Sequence, residues 1–171
     1  LTDADVPIVQ ESKSGTLITY EEDKTMENAV ISGIAFNRDE AKITITRVPD
    51  TPGVAFKILG PIAQANIDVD MIIQNSSHDG STDFSFTVNR DDLEEAISVI
   101  KGKVNSEINA LDISSDNQIC KVSVVGIGMR SHVGVASQMF ETLSNEGINI
   151  KMISTSEIKI SVVIDDKYME L

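Results

Sequence analysis

The sequence predicts an α+β chain made of two copies of one strand–helix–strand–strand–helix–strand unit, the first nested within the second. Three observations carry that reading. A strand-to-helix corner occurs twice, as "RVPDTPGVAF" at 47–56 and as "GIGMRSHVGVAS" at 126–137. The apolar positions after the two corners coincide at an offset of 81 residues: Val54, Ala55, Ile58, Leu59 and Ile62 fall on Val135, Ala136, Met139, Phe140 and Leu143. Finally, "AVISGIAF" at 29–36 is a surplus strand ahead of the first copy, and the second copy lacks a closing strand.

The elements follow in order. In the first copy, strands are expected at 41–48, 67–75 and 82–88, with helices at 52–65 and 91–105. The i, i+1, i+4, i+5, i+8 spacing after Gly53 is one stripe on a helix face. Pro61 lies within that helix, where its missing N–H predicts a kink. In "DDLEEAISVIKGKVN" the acidic first turn suits the helix dipole. "NALDISSD" supplies a last short strand. The second copy offers strand 119–127, helix 133–145 and strands 148–155 and 158–164, and reaches residue 171 as its second helix begins. A βαββαβ unit with both helices on one face of an antiparallel sheet is ferredoxin-like. Nesting assigns 38–117 to the first module and 29–37 plus 118–171 to the second. The alternative is a plain hairpin of 29–36 with 41–48 through the turn "NRDE". Residues 1–28 read as a tether with one short strand, "TLITY".

Composition narrows the function. The chain is 41% apolar and 24% charged, with aromatics at only 4%, so its core is aliphatic. A net charge of −13 and the lack of any Lys/Arg cluster argue against a nucleic-acid partner. The single cysteine, Cys120, lies in an apolar run and suits a reducing cytoplasm as a buried small hydrophobe. His78 and His132 have no metal-ligand spacing around them, and no apolar stretch is long enough for a membrane span.

The corners hold the chemistry. In "DTPG", Asp50 or Thr51 is expected to cap the helix, with Pro52 at its first position. The N–H groups of Gly53, Val54 and Ala55 then offer donors to a carboxylate, and Asp50 beside them suits an ammonium, which is what a free amino acid requires. A merely well-capped helix is the plainer reading. At the second corner Gly134, Val135 and Ala136 repeat the donors, but Ser131 stands where the first corner has Asp50. Asp70 overlays Lys151, so Asp70 is a candidate acid for the second corner if the modules face each other.

The stretches "VPDTPGVA", "DMIIQN", "GIGM-SH-GV" and "STSEIKIS" together resemble the paired ACT domains of aspartate kinase, over residues 16–171. The resemblance is close to the type whose regulatory half also occurs as a separate small subunit. It implies a cytoplasmic homodimer that senses threonine and lysine. Binding would feedback-inhibit ATP-dependent phosphorylation of aspartate by a catalytic domain or large subunit. It also implies two effector sites. The threonine-like site would use Asp50, Gly53, Val54, Ala55 and Gln74, closed by Asn149 and Ile150. The lysine-like site would use Met129, His132, Val135 and Ala136, closed by Ile67 and Asp70. Val133 departs from the family's "SHPGV", where Pro is usual, and leaves that helix start less preorganised.

Phosphoryl transfer needs a phosphate cradle and basic groups, and the sequence offers no Gly-rich, Lys-bearing segment. "VVGIGM" has Gly126 and Gly128 but not the rest of a dinucleotide fingerprint. The expectation is a chain without a catalytic site or cofactor of its own, ATP and Mg belonging to the kinase domain. Two readings from other classes are a ligand-free ACT-type dimerisation module and a chain that itself turns over ATP with aspartate.

Overall fold

The run from Gly33 to Pro49 is apolar at its start and alternates apolar and polar residues toward its end, with the charged stretch "NRDE", which reads locally as a turn, in its middle. The computed structural model describes residues 30–77, 79–104, 108, 112–131 and 133–170. In it this run is one 17-residue strand, β1 (Gly33–Pro49). The expected strands 29–36 and 41–48 are its two halves, so no hairpin forms between them. Register shifts between Asn37 and Glu40 and between Glu40 and Lys42 absorb the charged residues. Within the irregularity, Asn37 donates its side-chain amide to Glu40 Oε1 at 3.1 Å and accepts the Asp39 N–H at 3.0 Å. The tether at 1–28 and its strand "TLITY" lie outside the described residues.

After the first corner come α1 (Val54–Gln64), β2 (Ile72–Ser76) and β3 (Ser81–Val88). The second helix is wound in three ways: a 3-10 turn at Arg90–Asp92, α2 (Leu93–Val99), and a wide π turn at Ile100–Val104. Next is β4 (Asp112–Val125), which joins the short closing strand of the first unit to the opening strand of the second. A 3-10 turn (Ile127–Ser131), α3 (Val135–Asn145), β5 (Met152–Thr155), β6 (Lys159–Asp165) and a 3-10 turn (Asp166–Glu170) complete the chain. β2 and β5 are shorter than the runs 67–75 and 148–155 because their first residues sit beside a broken ladder. Even so, Asp70 N–H still donates to the Thr87 carbonyl at 3.1 Å, and Lys151 N–H to that of Val163 at 2.8 Å.

Among the described residues, six strands form one antiparallel sheet in the order β2–β3–β1–β4–β6–β5. The far half of β1 lies between β3 and the near half of β4, with Ile45 opposite Phe84 and also opposite Ile113. The near half of β1 runs along the far half of β4, with Gly33 opposite Val125. Each unit is therefore a ferredoxin-like βαββ module closed by half of a strand that the other unit also uses. The surplus strand closes the second unit, which nests the first inside it.

Each unit has its own core under its own helices. In the first, Ala41, Ile43, Ile45, Phe84 and Phe86 meet Val54, Ile58 and Ile62 of α1 and Leu93, Ala96 and Ile100. Burying each large aliphatic side chain contributes about 1.5–3 kcal/mol. In the second, the buried cluster among the described residues is Cys120, Val162 and Ile164, packed by half-buried Met139, Phe140 and Leu143 of α3. On that face Ile34 and Phe36 of β1 remain 69% and 64% exposed.

The helix-free faces of the two units meet at a seam. Met71 and Ile73 of the first cluster with Ile119, Met152 and Val163 of the second. Lys121 reaches Glu40 Oε1 at 2.7 Å and also pairs with Asp70, while Lys151 pairs with Asp116 at 2.6 Å and with Asp165.

Candidate functional site

Both corners are built by a glycine. Gly53 caps α1 at φ 90° and Gly134 caps α3 at φ 101°, each in left-handed backbone and neither with a side-chain cap. That geometry excludes L side chains at little strain. It corrects the expectation that Asp50 or Thr51 caps the first helix with Pro52 at its first position: both lie upstream of the cap. The helix turns so sharply that Val54 N–H folds back onto the Thr51 carbonyl at 3.2 Å. Of the three expected donors, this one is already engaged.

The first corner is pinned from behind. Asp50 N–H donates to the Gly80 carbonyl at 3.0 Å, and Arg47, at φ 53° in a bulge of β1, donates its N–H to Asp83 Oδ1 at 2.9 Å. The bulge re-aims the chain so that "DTPGVA" borders a concavity of about 410 Å³. Its lining is Asp50, Thr51, Pro52, Gly53, Val54, Ala55 and Gln74. All five residues expected in the body of the threonine-like site are thus together. Asn149 and Ile150 are elsewhere. Asn149 is exposed, and Ile150 leans on the second core and lines a separate seam cavity of about 340 Å³.

The second corner borders a smaller concavity, about 260 Å³, lined by Met129, Gly134, Val135, Ala136, Thr155, Ser156, Glu157 and Ile160. Met129, Val135 and Ala136 of the lysine-like site meet here, and His132 lies outside the described residues. Ile67 is buried in the first core and Asp70 is tied to Lys121, so neither reaches this corner within one chain. The acid at this corner is Glu157, which the sequence reading passed over. Its signal was present: Gln74 overlays Thr155 at the 81-residue offset, and Glu157 follows in the same turn, inside "STSEIKIS".

Electrostatics at the seam are set by pairing. Burial pushes the Asp70 carboxyl up, but the Lys121 ammonium outweighs it and holds the group below its ordinary value. Asp116 is likewise raised by burial and lowered further by Lys151. Burial disfavours the charged forms of Lys121 and Lys151, yet their carboxylate partners carry both above the usual lysine range. Burial also raises the Cys120 thiol, which suits an inert core position. Gly126 serves packing: a Cβ there would collide with the Val30 carbonyl. No described helix is long and apolar enough to cross a membrane.

Comparison with known proteins agrees with this architecture. ACT domain models match residues 42–104 and 122–171. An aspartate kinase of Stutzerimonas stutzeri is 64% identical over 157 residues, covering 92% of this chain and 38% of that protein. An aspartokinase of Helicobacter pylori is 46% identical over 160 residues, covering 92% and 39%. The chain therefore spans about two fifths of the length of these relatives. Among solved structures, a chain of the aspartokinase alpha and beta subunits is 57% identical with a TM-score of 0.77, over 82% of this chain and 91% of that one. The ligand-free regulatory subunit of aspartate kinase from Thermus thermophilus is 38% identical with a TM-score of 0.76, over 82% and 92%.

Proposed function

Because the chain belongs to the aspartokinase family, as the ACT-bearing regulatory region of such enzymes, we propose that it is a cytoplasmic sensor of the amino acids threonine and lysine. Threonine would occupy the first corner and lysine the second. Binding would feedback-inhibit the ATP-dependent phosphorylation of L-aspartate to 4-phospho-L-aspartate by the catalytic domain or large subunit. The observation that carries this reading is the gathering of Asp50, Gly53, Val54, Ala55 and Gln74 around one concavity at a glycine-capped helix start. Backbone N–H groups there suit a carboxylate, and Asp50 suits the neighbouring ammonium.

Each corner lies open on one side. Asn149, exposed and away from the first corner within one chain, and Ile150 beside it would complete that corner from a second copy, which makes a homodimer the assembly that suits the site. At the second corner, Glu157 adds an acid that suits a second ammonium. Lysine carries one and threonine does not. Effectors that close the corners bias one arrangement of the modules, a coupling typically worth about 1–3 kcal/mol.

Thermal denaturation tests the reading. At about 100 times its dissociation constant, threonine should add about 2.7 kcal/mol, a rise in Tm of about 5–10 °C at this size. An unchanged Tm at millimolar threonine and lysine would overturn sensing. It would favour the second reading, a ligand-free dimerisation module, for which the exposed Phe56, Ile127 and Val133 are the natural contact residues.

A further inference from the structure

Away from both corners, a third concavity of about 350 Å³ is lined by Arg38, Arg90, Asp166 and Lys167. It gathers three cations and one acid in a chain with 14 Lys and Arg against 27 Asp and Glu. We propose that it binds a small tetrahedral oxyanion, a phosphate or phosphoryl group, that ties the first module to the second.

The side chains support this one by one. Arg90 is anchored on one side of the concavity. It donates from Nη2 to the Ile119 carbonyl at 3.0 Å, and its Nε is buried with no partner among the described residues. A buried guanidinium N–H without an acceptor points to a missing one. Its ion-pair partner Asp166 is distant at 3.6 Å, and both side chains are more than a third exposed, so solvent screens the pair. Arg38 is exposed, and its side chain makes no ion pair or hydrogen bond among the described residues. Lys167 is exposed as well. Its Nζ lies over the Tyr168 ring and 3.9 Å from Asp165 Oδ2, at the outer limit of an ion pair. Of the acids nearby, Asp39 accepts the Arg90 backbone N–H at 2.9 Å and Asp165 is paired with Lys151. The seam lysines 121 and 151 are matched by carboxylates; this trio is under-matched. A doubly charged oxyanion balances it, and the guanidinium forks of Arg38 and Arg90 suit phosphate oxygens.

Position gives the site its consequence. Arg38 is in the irregular middle of β1, Arg90 opens the second helix of the first module, and Asp166 and Lys167 open the last turn of the second. One ion held by Arg38, Arg90 and Lys167, with Asp166 kept on its Arg90 partner, would bridge the two modules, independently of whether the corners bind amino acids.

The test uses the full chain at pH 8, with inorganic phosphate, glycerol phosphate and sodium chloride at matched ionic strength. The proposal predicts a saturable rise in Tm with phosphate and amide NMR shifts confined to residues near 38, 90, 119 and 166–167. Arg38→Gln with Lys167→Gln should weaken that binding at least about tenfold, as expected when two charged donors are lost, while leaving the threonine response intact. If glycerol phosphate binds more than about tenfold tighter than phosphate, the occupant is a phosphorylated metabolite; comparable affinities assign the free ion. A rise matched by chloride, shifts scattered over the surface, or undiminished binding in the double variant would mean an adventitious ion only and would overturn the proposal.

Discussion

Gly53 at φ 90° and Gly134 at φ 101° head helices of equal length, yet α1 sinks Val54, Ile58 and Ile62 into its core while α3 buries none of its residues. The polar groups differ as well. The first corner has Asp50 and Gln74, the second Thr155, Ser156 and Glu157. Charges even invert between equivalent positions, Glu40 against Lys121 and Asp70 against Lys151. The backbone of the corner is thus the common part, while packing and charge have diverged around it. Divergence also made the halves complementary: Lys121 of one now neutralises Glu40 and Asp70 of the other.

The largest expected effect comes from that seam. Lys121→Met leaves Glu40 buried with no ammonium and should cost about 3–5 kcal/mol in chemical denaturation. The equivalent test on the other lysine, Lys151→Met, leaves Asp116 and Asp165 about 30% exposed and should cost under about 2 kcal/mol. Equal losses would break the claimed asymmetry of the seam.

Next in size is the difference between helices. Ile58→Ala should cost about 3–4 kcal/mol, and Met139→Ala at the equivalent position about 1–2 kcal/mol because that side chain is only half-buried. Smaller still, Gly53→Ala and Gly134→Ala should each cost about 1–2 kcal/mol. A Cβ at either position meets nothing within 4 Å, so only the backbone resists. Matching values would confirm that the corners share one geometry.

The pH dependence is the mildest and has two sides. Asp70 and Asp116 have folded-state values below their unfolded ones. Their contribution is therefore present above the ordinary carboxylate value of about 4 and lost as pH falls through the depressed folded values. Lys121 and Lys151 are shifted up. Their contribution is complete below the ordinary lysine value of about 10.4 and lost as pH rises through the raised folded values. A stability plateau between those limits, steepened at both ends relative to Lys121→Met, is the expected profile.

The repeat made most of the fold legible in the sequence, because an apolar stripe at Val54, Ile58 and Ile62 recurs wherever the same helix is needed. What stayed hidden depended on distant partners. "NRDE" is polar enough to read as a turn, but Glu40 finds Lys121 across the sheet, so β1 runs on. Asp70 looked available for the second corner until Lys121 occupied it. The caps were misplaced because Asp50 and Thr51 are good capping residues, whereas the left-handed glycine that turns the corner has no side chain to advertise it. Glu157 escaped because a turn acid has no periodicity to mark it.

Calorimetric titration of threonine into the chain, beside the Asp50→Ala variant, tests amino-acid sensing at the first corner most directly. The account predicts saturable heat with the unaltered chain and binding about ten- to a hundredfold weaker in the variant, as expected for loss of one charged hydrogen-bond partner. Heat indistinguishable from dilution, or undiminished affinity with Asp50 gone, would contradict it.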